Sequence, residues 1–180
     1  MNTVRIRPYT TGDEKALFEA ARESIADVHP WLPWCHPGYT WDEAASWIAL
    51  QRSNWQTGSE FQFAVTSSEG RFIGGCGINF INPEHNFANL GYWIRSSETG
   101  AGRAVEAVRL LKDWVFSKTE LVRLELVVAT ANTRSARVAE KAGARLEGTL
   151  RNRLKVHGKV HDAYMFSFVP SNSDGPISES

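Results

Sequence analysis

The segment that most limits what this chain can fold into runs from Leu90 to Ala104. A stretch with strand character, Leu90-Gly91-Tyr92-Trp93-Ile94, passes through Arg95-Ser96-Ser97-Glu98 into Thr99-Gly100-Ala101-Gly102. An amphipathic pattern then begins at once. Ala104, Val108, Leu111 and Val115 recur at spacings of four, three and four, which predicts a helix over 103–117. A strand that feeds a Gly-x-Gly turn and then a helix builds an anion site. Successive backbone N–H groups converge there, with the positive end of the helix behind them. Glycine lets the backbone come close to a guest because no Cβ intervenes. A phosphate or pyrophosphate is the natural ligand. The full dinucleotide fingerprint would place a third glycine near position 105, where Val105 stands, and no Gly-Lys-Ser or Gly-Lys-Thr occurs. Ordinary Rossmann and nucleoside-triphosphate loops are therefore disfavoured.

The rest of the chain arranges itself around this segment. Val4–Tyr9 alternates as a strand. Thr11 with Glu14 fits a capping box before a helix marked by Leu17, Phe18, Ala21 and Ile25. His29–Gly38 carries three prolines, which forbid a regular helix. Thr40 with Glu43 starts a second helix, expected to end about Trp55. Phe61–Val65 alternates as a strand, Arg71–Phe80 continues as one weakened by Gly74, Gly75 and Gly77, and Ala88–Ile94 returns after a turn at Asn82–Asn86. Leu121–Ala129 reads as a buried strand, and Asn132–Ala142 as a short helix stopped by Gly143. Leu150–Val156 and Val160–Phe168 close as a hairpin about His157-Gly158. The layout is α+β, a mixed sheet with helices on its faces. Residues 1–169 read as one domain, and 170–180, rich in Ser, Gly and Pro, as a disordered tail.

Composition narrows the partners. Lys plus Arg total 20 and Asp plus Glu total 20, so the formal net charge is zero. Neither nucleic acid nor an anionic membrane is expected as main partner, since both select basic surfaces. Cys35 and Cys76 stand far apart without metal-ligand spacing, so no metal site is expected. No apolar run approaches the ~20 residues that span a bilayer, and no signal-peptide core is visible. The default location is the cytoplasm.

A second pattern carries a resemblance. Asn132-x-x-Ser135, Glu140-Lys141-x-Gly143 and Glu147-Gly148-x-x-Arg151 follow Gly91-Tyr92-Trp93-Ile94, Gly100-x-Gly102 and Glu106-Ala107 in order. Trp31-Leu32-Pro33-Trp34 precedes a helix. Over about residues 3 to 169 the chain resembles the GNAT superfamily of N-acetyltransferases, closest its branch that modifies ribosomal-protein N-termini (RimJ/RimL-like). The resemblance implies a mostly antiparallel twisted sheet with a splayed central strand pair, in which acetyl-CoA lies. It implies that backbone groups of Trp93, Ile94 and Arg95 pair with the pantetheine arm. The pyrophosphate then sits on amides of Thr99, Gly100, Ala101, Gly102 and Arg103. The family pattern often has Gln or Arg where Ser97 stands; Arg95 or Arg103 could supply the missing cation, and Arg103, which begins the helix beside the loop, is the better placed. Asn132 is implied as a cofactor contact, and Ser135 as the hydroxyl that protonates the departing thiolate. Each has a plainer use, since Asn132 can cap a helix and Ser135 can satisfy a first-turn amide.

The implied reaction is direct transfer of an acetyl group to a primary amine, without a metal. An α-amine, of pKa about 7.7–8, is neutral far more often near pH 7 than a lysine at about 10.4. The expected acceptor is therefore a protein or peptide N-terminus. Trp31, Trp34 and Glu84 are the expected acceptor contacts, the tryptophans by stacking and the glutamate by attracting a cationic amine. Glu84, His85, His157, His161 and a water chain all stand open as the base. Two other readings stay open: acetylation of a small amine (a polyamine, antibiotic or aminoacyl-nucleotide), and a CoA-binding module without catalysis. A homodimer is common in the branch.

Overall fold

The computed structural model describes residues 4–170. The chain runs β1 (Val4–Pro8), α1 (Glu14–Val28), α2 (Trp41–Thr57), β2 (Phe61–Ser67), β3 (Phe72–Asn82), β4 (Phe87–Ile94), α3 (Arg103–Lys118), β5 (Arg123–Ala129), α4 (Thr133–Ala142), β6 (Arg145–Val156) and β7 (Lys159–Phe168), with a 3₁₀ turn at Ser96–Glu98. All seven strands join one sheet in the order β1-β2-β3-β4-β5-β7-β6. Every neighbouring pair is antiparallel except β4 and β5.

Strand alternation sends side chains to two separate cores. Phe63 and Val65 enter the larger one, beneath α3 and α4, with Leu111, Val115 and Leu124. Ala64 enters the other, beneath α1 and α2, with Leu17, Ala21 and Ile48. Burying a side chain such as Leu111 contributes ~1.5–3 kcal/mol relative to leaving it exposed. In α3 the expected stripe holds: Ala107, Val108, Leu111 and Val115 are buried.

The capping box at Thr40 forms with both reciprocal bonds, and α2 runs to Thr57, where Gly58 ends it in the left-handed region. The box expected at Thr11 does not form. Asp13 sits at the N-cap, buried, where its carboxylate accepts from the Thr10 N–H (2.8 Å) and from Arg7 (2.7 Å). The ion pair with Arg7 outcompetes a helix cap. β6 begins at Arg145, five residues before the expected start, because β7 is long enough to pair back to that point. The His157-Gly158 hairpin takes positive φ at both residues (49° and 76°), the conformation that suits strand twist. The tail expected over 170–180 lies, apart from Pro170, outside the described residues. No helix among those residues is long and apolar enough to cross a membrane.

Two features of the sheet place the site. β4 and β5, the parallel pair, touch only where Phe87–Asn89 meets Arg123–Glu125. Beyond Asn89 the strands part, while β4 stays bonded to β3 on its other side. One edge of β4 from Leu90 onward is thus open toward β5.

Candidate active site

A cleft of about 470 Å³ fills the gap between the parted strands. The Gly loop closes one end. Gly100 and Gly102 both hold positive φ (86° and 77°), and Gly102 is the N-cap of α3 with no side chain capping it. The first-turn N–H groups of α3 are therefore left for a guest, at the positive end of the helix. Thr99, Gly100, Gly102 and Arg103 all line the cleft.

Arg103 is not free to act as the loop's cation. Its guanidinium is ion-paired with Glu98 and also donates to the Glu98 carbonyl oxygen (3.3 Å). Glu98 is buried and takes a second ion pair from Arg71 (2.8 Å). What the loop itself presents is backbone dipoles, with the Arg103 side chain turned onto Glu98. Other positive charge stands across the cleft on α4, where Arg134, Arg137 and Lys141 line it.

The segment entering the loop is fastened to α1. Arg95 bonds Glu23 through Nε (2.6 Å), and the same carboxylate accepts from the Ser97 N–H (3.0 Å). Ser96 donates its N–H to Ser24 Oγ (3.0 Å) and its hydroxyl to Asp27. Arg95 and Ser97 hold the Glu23 carboxyl down at about 2. The Arg95 side chain thus turns toward α1, while its backbone N–H donates to the Ile73 carbonyl in β3 (2.8 Å). Successive N–H groups of an extended strand point to opposite edges. The Ile94 N–H therefore points to the open edge, into the cleft that Trp93 and Ile94 also line.

Asn132 and Ser135 sit on the facing wall. Asn132 Oδ1 accepts from the Ser135 N–H (3.1 Å), so Asn132 is the N-cap of α4. Its helix-capping use is realised. The Ser135 hydroxyl does not serve a first-turn amide. It bonds the Tyr92 hydroxyl (2.9 Å), and both residues line the cleft. The motif Gly91-Tyr92-Trp93-Ile94 contains Tyr92 but gives no sign of its partner, because the contact joins positions 43 apart.

The expected acceptor residues divide. Trp31 lines the cleft with Leu32. Trp34 stands 38% exposed at the rim, edge-on to Trp93 with centroids 5.4 Å apart. Neither Trp34, Arg95 nor Ala101 lines the cleft itself. Glu84 is exposed in the turn before β4. The eight residues of β4, at ~3.3 Å each, put it at the far end of the strand from Ile94. His85 shares that turn. His157 packs on His29 (centroids 4.2 Å) and its Nε2 bonds the His29 carbonyl (2.8 Å). Cys35 and Cys76 are free and buried. Burial pushes Cys35 up to about 11 and Cys76 higher still, so both stay thiols. Among the described residues no group of three His, Cys, Asp or Glu is placed to hold a metal.

An open α+β sheet whose one parallel pair parts beside a glycine-rich helix start is an arrangement of the GNAT fold class. The chain belongs to the acetyltransferase (GNAT) domain family, whose model matches residues 3–145. It is 35% identical over 113 residues to N-acetyltransferase p20 of Bacillus licheniformis, covering 62% of this chain and 64% of p20. The chain thus spans just under two thirds of that relative's length. The structure of Mycobacterium smegmatis RimJ in complex with CoA-disulfide superposes with a TM-score of 0.85 at 27% identity, covering 92% of this chain and 81% of that one. Ribosomal-protein-serine acetyltransferase of Escherichia coli is 28% identical over 55% of both chains. Spermidine N(1)-acetyltransferase of the same organism is 29% identical over 58% of this chain and 56% of its own.

Proposed function

We propose that this chain is an acetyl-CoA-dependent N-acetyltransferase whose acceptor is the α-amine of a protein or peptide N-terminus. The observation that carries the reading is one cleft that combines an uncapped helix start, an open strand edge and a donor hydroxyl. The fit to CoA follows from donor chemistry. Amides from Thr99 to Arg103 suit a pyrophosphate, and the open edge of β4 at Tyr92 and Ile94 suits a linear amide-bearing arm, whereas the Arg95 N–H is spent on β3. Acetyl-CoA, when bound, supplies a thioester carbonyl that an amine can attack. The Ile94 N–H then polarises the carbonyl oxygen, and Ser135 Oγ hands its proton to the departing sulfur. Asn132 holds Ser135 in place by capping α4.

Two arguments favour an α-amine. It reaches its neutral, attacking form without a strong base, and among the described residues lining the cleft there is no histidine and the two carboxylates are already engaged, Asp27 with Arg134 (3.0 Å) and Ser96, and Glu98 with Arg71 and Arg103. The relatives named for ribosomal proteins point the same way. The spermidine relative favours a second reading, a small polyamine acceptor.

The test is mass spectrometry of a lysine-containing peptide with a free Ser or Ala N-terminus, incubated with the protein and acetyl-CoA. Acetyl on the α-amine is expected. Acetyl on lysine alone moves the acceptor to side-chain or small amines, and no product on any amine of a panel, with CoA bound, overturns the enzyme reading. Ser135→Ala is expected to lower turnover roughly a hundredfold, within the range of a lost general acid, and to leave CoA affinity nearly unchanged.

A further inference from the structure

Tyr92 lies on β4 and Ser135 in the first turn of α4, and their hydroxyls meet at 2.9 Å. The Tyr92 hydroxyl also reaches the Ser135 carbonyl oxygen at 3.5 Å. Either hydroxyl can donate across the 2.9 Å contact, and the phenol is the stronger acid of the two. When Tyr92 donates to Ser135 Oγ, the Ser135 proton is left for the cleft. The Tyr92 ring packs on the core beneath α3 and α4. Burial raises its pKa, and the bond to Ser135 opposes that rise only in part. Tyr92 therefore stays protonated throughout the neutral range.

Acid strengths give this contact a use. An aliphatic hydroxyl is an acid about as weak as water, near 15.7. A thiol ionises near 8.5 and a phenol near 10. A serine alone is thus poorly matched to a leaving thiolate, and a phenol behind it is the nearer match. Among the described residues no other titratable side chain bonds Ser135.

We propose that Tyr92 is the proton reservoir behind Ser135. As the bond from amine nitrogen to carbonyl carbon forms and the carbon–sulfur bond breaks, the Ser135 Oγ proton passes to sulfur. The Tyr92 Oη proton replaces it on Ser135. The surplus proton of the acylated nitrogen leaves to solvent, and a solvent proton returns through the same hydroxyl pair once CoA departs, so charge balances. The proposal rests on the Ser135 role above. Tyr92 acts through Ser135 and is a positioning residue.

Tyr92→Phe, Ser135→Ala and the double variant test it with three readouts. These are kcat and KM for acetyl-CoA on the reactive peptide, the solvent deuterium isotope effect on kcat, and the thiol pKa of bound CoA followed by thiolate ultraviolet absorbance. The last needs no acceptor. Tyr92→Phe is expected to lower kcat roughly tenfold or more, with KM little changed, a smaller isotope effect and a raised pKa of the bound thiol. The double variant should be no worse than Ser135→Ala. A fluorotyrosine at position 92, which keeps the hydroxyl, should restore kcat. It also serves as the probe if Tyr92→Phe proves unstable, because the isotope effect must then follow its altered acidity. An isotope effect and thiol pKa unchanged in Tyr92→Phe but altered in Ser135→Ala would reduce Tyr92 to packing and leave the Ser135 role standing. No change in either variant would overturn both.

Discussion

A methyl group placed on Gly74 would lie 2.2 Å from the Trp93 carbonyl oxygen, and one on Gly75 would lie 2.5 Å from the Tyr9 hydroxyl. One placed on Gly100 or Gly102 would meet nothing within 4 Å. The two groups of glycines stand at opposite borders of one strand, β4. In β3 they exist for space: they let β4, Tyr9 and Trp93 come closer than any side chain allows. The sequence suggests that Gly74, Gly75 and Gly77 weaken β3, yet that strand runs for 11 residues and its first seven are buried. In the loop the glycines exist for conformation, and the space beside them is open for a guest. A crowded glycine should therefore report on folding, and an open one on binding.

The largest effect is expected at Gly74. Gly74→Ala sets Cβ against backbone rather than against a movable side chain, and its φ of +155° is one L residues rarely adopt. A loss of about 3 kcal/mol is expected, seen as a midpoint of thermal unfolding lower by roughly 6–12 °C. A variant as stable as its parent would dissolve the distinction at its stronger end. Gly102→Val should behave differently. Its strained φ costs about 1–2 kcal/mol, but CoA should bind at least tenfold more weakly, measured by titration calorimetry. An unaltered dissociation constant would sink the glycine-cradle argument.

These glycines also show where sequence reasoning stops. The strand, Gly-x-Gly and helix are adjacent in the chain, so their anion site is legible from spacing, as are the Gly143 stop and the Asn132 cap. Local chemistry decides all of them. The Ser135–Tyr92 bond, the burial of Glu98 under Arg71 and Arg103, and the fastening of Ser96 and Ser97 to α1 join residues far apart or turn on burial. On α1, Glu23 and Asp27 look like any solvated helix face. The resemblance could name Arg103 as a cation near the loop, but only the packed structure shows it paired with a buried Glu98 that Arg71 shares. Glu84, expected to attract a cationic amine, sits in the turn before β4, at the end of the strand away from Ile94.

The fastening to α1 sharpens the comparison, because it holds the loop's entrance without glycine. Glu23 carries it, accepting from Arg95 and Ser97. Its pKa is depressed from 4.5 to about 2, so its contribution is full above about 4.5 and is lost as the pH falls through about 2. The side chain is 32% exposed, so solvent screening limits its worth to about 0.5–1 kcal/mol. Glu23→Gln should lose that increment at neutral pH. The gap in thermal midpoint between parent and variant should then close as pH drops from 4.5 toward 2. Other carboxylates titrate alike in both proteins and cancel in the difference. A gap that persists at pH 2 would assign the effect to packing rather than charge.

Gly91 tests whether two categories suffice. It is neither crowded nor left-handed: a Cβ there meets nothing within 4 Å, and its φ is not positive. It pairs with Gly77 in β3 and lines the cleft. By fold alone Gly91→Ala should stabilise, by about 0.5 kcal/mol, because alanine restricts the unfolded chain more than glycine does. The thermal midpoint should rise by roughly 1–2 °C. If the glycine is there for the guest, CoA binding should weaken severalfold in the same variant. Stability and affinity moving in opposite directions would place Gly91 with the loop glycines, as a position kept bare for a ligand. A variant that loses stability and binds CoA normally would return it to the β3 group, and the open edge of β4 would then lose one of its arguments.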